Sequence, residues 1–156
     1  MPGKQDRLKK EGGQSLTEMA LFMTFLFILL AGVVDLGRAF FTYITLRDAA
    51  QEGALYVSYK PTDCNGAITR ARETTNSGGS AISVVDLQND PKVIVQCTVT
   101  KACAATESYI GGEAQIKVIY SDFPITMPFL GTLIGGQSFE ISASSTNDVV
   151  SPMCTN

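Results

Sequence analysis

The sequence contains no histidine. That removes the Ser-His-Asp and Cys-His arrangements of nucleophilic catalysis. A zinc site would need all four cysteine thiolates, and these lack a paired C-x-x-C knuckle. There is no P-loop, and no G-x-G-x-x-G follows a strand-like run. The glycine pairs at 12–13, 78–79, 111–112 and 135–136 stand in loop-like surroundings. A basic stripe is missing too. After Gly13, eight Lys/Arg face thirteen Asp/Glu, a net of −5, which argues against nucleic acid as a partner. These absences leave no catalytic set, metal site or cofactor to assign. They point away from an enzyme and towards a structural or assembly protein.

What is present is strongly asymmetric. Residues 19–34 carry no charge and a single polar side chain, Thr24. A spanning helix needs about 20 apolar residues, and these sixteen, with Leu16, Thr17 and Leu36, predict a transmembrane part over about 16–36 if Glu18 is tolerated. Lys4, Arg7, Lys9 and Lys10 precede the run, so the positive-inside rule predicts a cytoplasmic N-terminus and an outer C-terminal part. A cleaved secretory signal is the alternative, but no small-x-small cut follows the run.

The helical pattern continues beyond the apolar run. Leu36, Phe40, Tyr43, Ile44, Leu46, Ala50, Ala54 and Val57 recur at three- and four-residue steps, and no proline intervenes before Pro61. A helix from about 14 to about 58 would be roughly 65 Å long at ~1.5 Å per residue. Its outer half must therefore lean on a soluble domain or on neighbouring subunits through that stripe. Asp35 and Arg38 stand i, i+3 and can form an ion pair at the helix exit. Gly32, Gly37 and Gly53 weaken the helix locally and permit close helix approach in lipid.

The remaining hundred or so residues predict a small α+β domain, a helix followed by an antiparallel meander. CNGAITRARETTNSGG (64–79) predicts a short helix. AISVVDL (81–87), KVIVQCTVT (92–100), EAQIKVIYSDF (113–123) and SFEISASSTNDVV (138–150) predict strands. PITMPFLGTLIGG (124–136) is an apolar connection that either packs on the sheet, the default expectation, or meets a partner, and it is expected to hold a short helical turn over 129–134. All four cysteines, Cys64, Cys97, Cys103 and Cys154, follow the apolar run, where an outer compartment favours two disulfides. A local Cys97–Cys103 bridge is feasible and would leave Cys64 with Cys154. Four cysteines allow three connectivities, and spacing does not choose among them.

Glu18 stands where the helix enters the apolar run. Ser15-Leu16-Thr17-Glu18 fits the S-x-x-E capping box, with Ser15 capping a helix start and Glu18 reaching back.

GG-QSLTEMALFMTFLFILLAGVVDLGRAF resembles the leader and N-terminal helix of type IV pilin-like proteins. In that family a prepilin peptidase cuts after a glycine at the cytoplasmic face, and an acid stands fifth after the cut. A cut after Gly13 makes Gln14 the new terminus and places Glu18 fifth; a cut after Gly12 places it sixth. The continuation DLGRAFFTYITLRDAAQEGALYV is similar to the TadE-like proteins of the tight-adherence (Tad/Flp) pilus system. Those follow the hydrophobic helix with an acid-aromatic-Gly-Arg step and an Ala-Arg-Glu-Gly-Ala-Arg-like element. Asp35, Gly37 and Arg38 match the step, with Leu36 in the aromatic position. Ala49, Ala50, Glu52, Gly53 and Ala54 match the element, with Gln51 and Leu55 where arginines are common. The resemblance covers residues 12–57, about a third of the chain.

The resemblance implies a leader at 1–13, a long helix at 14–60 and an extracytoplasmic α+β domain at 61–156. It implies a minor pilin or pseudopilin of the inner membrane, single-pass, that takes part in Tad-type pilus assembly and surface adhesion. Its partners would be prepilin peptidase, other pilin or pseudopilin subunits and the Tad machinery. Glu18 would act in assembly, offset by an amino terminus. The alternatives are a major subunit of a type IV pilus-like filament, or an uncleaved single-pass membrane protein with an outer binding domain.

Overall fold

A computed structural model of the chain describes residues 5–77, 85–100, 112–127 and 135–150. The element order is α1 (Gln5–Tyr59), α2 (Cys64–Ser77), β1 (Val93–Val99), β2 (Glu113–Pro124) and β3 (Ser138–Asp148). The chain is α+β, with a long apolar N-terminal helix followed by a three-stranded antiparallel sheet in the order β1-β2-β3. It divides into two compact units. One comprises Met1–Gly37 and Ile125–Gln137; the other comprises Arg38–Pro124 and Ser138–Asn156.

Helix α1 starts nine residues before the expected position, and Gly12 and Gly13 do not interrupt it. Two glycines in a helix interior cost about 1 kcal/mol each relative to alanine, which neighbouring turns evidently absorb. The helix stops at Tyr59 because Pro61 disfavours helical geometry at the preceding residue. Asp63 then caps α2: its Oδ1 accepts the Gly66 N–H at 2.9 Å, and its main-chain oxygen accepts the Ala67 N–H at 3.2 Å. Its other carboxylate oxygen accepts the Tyr56 hydroxyl at 2.8 Å. A Cβ on Gly66 would run into that Tyr56–Asp63 pair, so the corner requires glycine there.

In the sheet-bearing unit, β2 is central and its burial alternates. Ala114, Ile116, Val118 and Tyr120 are buried. They stand opposite Val99, Cys97, Val95 and Val93 of β1. On the other side Val118 faces Ala143 and Tyr120 faces Ile141. A bulge between Tyr120 and Phe123 shifts the register and sets the Phe123 ring 5.2 Å from Phe139 and 5.6 Å beneath the Arg38 guanidinium.

The C-terminal part of α1 covers this face through small residues. Leu46, Ala49, Ala50, Ala54 and Val57 are fully buried. A Cβ on Gly53 would come within 3.1 Å of the Ala71 Cβ, 3.2 Å of the Ala67 carbonyl oxygen and 3.3 Å of Ile116 Cγ1. Gly53 therefore serves close packing of α1 on α2 and the sheet, not helix approach in lipid. The expected stripe is also cut short, since Leu36, Phe40, Tyr43 and Ile44 are exposed.

Two further expectations are corrected. Residues 85–91 are turn and irregular backbone. Asp86 Oδ1 accepts the N–H groups of Gln88 and Asn89 at 3.0 and 3.2 Å. A short acidic side chain that satisfies its own following backbone competes with the strand ladder, while Val85 and Leu87 still bury in the core. The segment is held from α2 by Arg72, which donates to the carbonyls of Leu87 and Val93 at 3.2 and 3.0 Å. Residues 81–84 lie outside the described residues.

Cys64 is bonded to Cys97, not to Cys154, and Cys97 is not bonded to Cys103. The start of α2 lies against β1, with the two Cα atoms 5.8 Å apart, inside the range a disulfide spans. Cys103 and Cys154 lie outside the described residues. The described start of the apolar connection is hydrogen-bonded to α1, and residues 128–134, on which the expectation of packing on the sheet mainly falls, lie outside the described residues. The helical turn expected over 129–134 also lies outside the described residues.

Candidate assembly and membrane-insertion site

The site is carried by α1 between Gly13 and Arg38. Gly13 is exposed, and a Cβ there would meet nothing within 4 Å. Gln14 and Glu18 are exposed one turn apart, with the Gln14 side-chain amide donating to Glu18 Oε1 at 3.4 Å. Thr17 Oγ1 donates to the Gln14 carbonyl at 2.8 Å. Ser15 lies within the helix, so the capping-box reading does not hold. A residue in a helix interior has its neighbouring N–H groups satisfied by preceding carbonyls, which leaves nothing for a cap to accept.

Beyond Glu18 the helix exposes apolar side chains around its circumference. Leu21 is 74 % exposed, and Phe22, Phe25, Phe27, Leu29, Val33 and Val34 are each at least half exposed. Within Gly13–Tyr59 an 18-residue window reaches a mean hydropathy of 2.4, and 6 % of it is buried. A helix apolar on all sides is one that sits in a larger apolar surrounding. Thr24 turns its hydroxyl back onto the Ala20 carbonyl at 2.9 Å, which hides the one polar side chain of the run.

At the C-terminal end of the apolar run Asp35 is 8 % exposed. Its Oδ2 accepts the backbone N–H of Thr126 at 2.8 Å and of Met127 at 2.6 Å. Short bonds from amides to an ionised acceptor are the stronger kind. Nothing local in the sequence announced this contact, since its partners stand 91 and 92 positions away. Asp63, not singled out from the sequence alone, does carry a local signal, an acid placed just before a helical pattern.

Residues 13–55 match the TadE-like protein family. The matched segment thus runs from the glycine of the expected cut, through the apolar helix and Asp35, to the small-residue face at Gly53. No significant match to the chain exists among curated proteins or solved structures. The match ends within α1 and does not extend to α2 or the sheet. Together with the apolar N-terminal helix, the match fits a membrane-anchored protein.

The match gives the Ala-Ala-Gln-Glu-Gly-Ala element a physical role. Ala49, Ala50, Gly53 and Ala54 form the small face against α2 and the sheet. Glu52 is exposed and lines a groove of about 250 Å³ together with Arg70, Glu73 and Thr74 of α2. Among the described residues no group of three or more acids, cysteines or histidines could hold a metal ion.

Proposed function

We propose that this chain is a minor pilin or pseudopilin of a Tad-type machine. Its leader ends at Gly13, prepilin peptidase releases Gln14 as the new amino terminus, and α1 then spans the inner membrane with its start in the cytoplasm. The sheet-bearing part is exported, and the subunit enters a surface pilus or its initiating complex in support of adhesion.

The observation that carries this reading is the combination on one helix of an all-round apolar surface over residues 19–34 with an exposed acid, Glu18, immediately before it. A charge at the bilayer centre costs about 2.5–3.5 kcal/mol on insertion scales and less near the edge. In an assembled bundle the same carboxylate would be surrounded by neighbouring helices, and an amino terminus freed at Gln14 would offset its desolvation. Such a pair would favour assembly and set the axial register of subunits. The i, i+3 pair of Asp35 and Arg38 would close the other end of the spanning segment.

N-terminal sequencing of the protein from a membrane fraction and from sheared surface filaments tests this. Gln14 as first residue in both, with low abundance in the filaments, is the expected result. A sequence beginning at Met1 or Pro2 in the membrane fraction would mean that no cut occurs.

A further inference from the structure

The first residues of the connection that leaves β2, Thr126 and Met127, meet the apolar helix. The N–H groups of Thr126 and Met127 converge on one carboxylate oxygen of Asp35. Nearly one turn earlier on α1, the Met127 thioether sulfur stands 3.4 Å from the position a Gly32 Cβ would take. Gly32 belongs to the uncharged run 19–34. The connection itself, residues 124–137, also carries no charge, and Ile125–Gln137 falls in the same compact unit as Met1–Gly37.

We propose that the start of the β2–β3 connection, Ile125–Met127, is a second lipid-contacting element, seated in the outer margin of the bilayer beside α1 and fastened there by Asp35. The proposal rests on the reading that α1 spans the membrane. A hydrocarbon core takes about 20 helical residues at ~1.5 Å each. A run that begins near Leu16 therefore reaches its outer boundary close to Asp35, which leaves Gly32 and the Met127 side chain on the lipid side.

Two costs cancel at that boundary. Irregular backbone in contact with lipid must have its N–H groups satisfied from within the protein. A carboxylate at the lipid margin must have its charge met by donors. Asp35 supplies the acceptor for both amides, and the amides supply the donors for Asp35. A sheet-packed or solvent-facing connection would need neither arrangement, and charge along it would carry no penalty.

The chain has no tryptophan, so a single introduced one reports its own surroundings without background. Three full-length variants, Phe27→Trp, Met127→Trp and Ile125→Trp, are reconstituted in phosphatidylcholine vesicles with and without acyl-brominated lipid. Phe27→Trp reports helix insertion. Met127→Trp and Ile125→Trp report the connection and keep the backbone amides that Asp35 accepts; the second guards against misfolding of the first.

Blue-shifted emission and bromine quenching at all three positions is the expected result. Adding Asp35→Leu, which lengthens the apolar run while removing the acceptor, should abolish quenching at 127 and leave it intact at 27. Quenching at 27 with none at 125 and 127 overturns the lipid contact while sparing the membrane reading. No quenching at 27 overturns both. Quenching at 127 that survives Asp35→Leu overturns the role given to Asp35.

Discussion

Met127 donates its backbone N–H to the Asp35 carboxylate at 2.6 Å, across 92 positions of chain. The contact joins the end of the apolar helix run to the connection leaving the central strand. An acid at a membrane boundary is costly if it merely faces lipid, and here it is met by two main-chain donors. The Asp that the TadE-like match includes thus holds a loop in place.

Processing and assembly should separate genetically. Gly13→Ala is expected to abolish release of Gln14 as the new terminus. Glu18→Ala is expected to leave that cut largely intact and to lower incorporation into filaments. Immunoblots of membrane and sheared fractions read both effects, and normal filament incorporation by the Glu18→Ala protein would count against an assembly role for the carboxylate.

Gly53 is expected to tolerate no branched side chain. Gly53→Val would drive its methyl groups into Ala71, Ala67 and Ile116 and should cost about 1–3 kcal/mol by overpacking. Gly53→Ala should stay within about 1 kcal/mol of the parent, because the gain in helix propensity opposes the crowding. Denaturant unfolding of the detergent-solubilised full chain, followed by circular dichroism of the sheet-bearing part, measures both.

The disulfide prediction is a connectivity. A non-reducing digest of the exported protein should yield a peptide joining Cys64 to Cys97. With those two paired, oxidation of the rest can only join Cys103 to Cys154, and no free thiol should react with maleimide. A Cys97–Cys103 peptide would contradict the observed pairing. For a sequence separation of 33 residues, the chain-entropy model gives about 4 kcal/mol of stabilisation. Cys64→Ser together with Cys97→Ser should lower stability on that scale.

Acid should loosen the corner between α1 and α2. The Gly66 N–H, followed by the Tyr56 hydroxyl, holds the Asp63 carboxyl below its ordinary value of 3.8, against a smaller opposing effect of burial. A depressed carboxylate contributes stability above its unfolded-state pKa and loses that contribution as pH falls through its lower native value. The difference in unfolding midpoint between wild type and Asp63→Asn should therefore be present at neutral pH and vanish well below pH 3.8. A difference that persisted at the lowest pH would mean that the charge on Asp63 is not what the corner uses. The comparison must be a difference between variants. Asp86, held down first by the Asn89 amide, and Asp122, held down first by the Ser138 hydroxyl, lose their contributions in the same range.

The apolar helix, the short second helix and the strands beginning at Val93, Glu113 and Ser138 were legible because each follows from a periodicity that local sterics and burial impose. The resemblance to TadE-like proteins was legible for the same reason, since its matching positions lie along one continuous helix. Where local rules offered two answers, the sequence favoured the wrong one. Asp86 turns the chain where β-branched neighbours suggested a strand, and an uninterrupted helix passes through the Ser15–Glu18 capping pattern.

By itself, then, the amino-acid order determined what each segment is: helix or strand, apolar or polar, and free of histidine chemistry. Tertiary structure alone decided which segments meet. It chose Cys97 as the partner of Cys64, turned Gly53 towards Ala71 instead of lipid, and brought Met127 to Asp35. The physical reason is range. Secondary structure is set by interactions within a few residues, whereas a disulfide partner, a helix contact or an acceptor for a distant amide depends on loop closure and packing that no local pattern records.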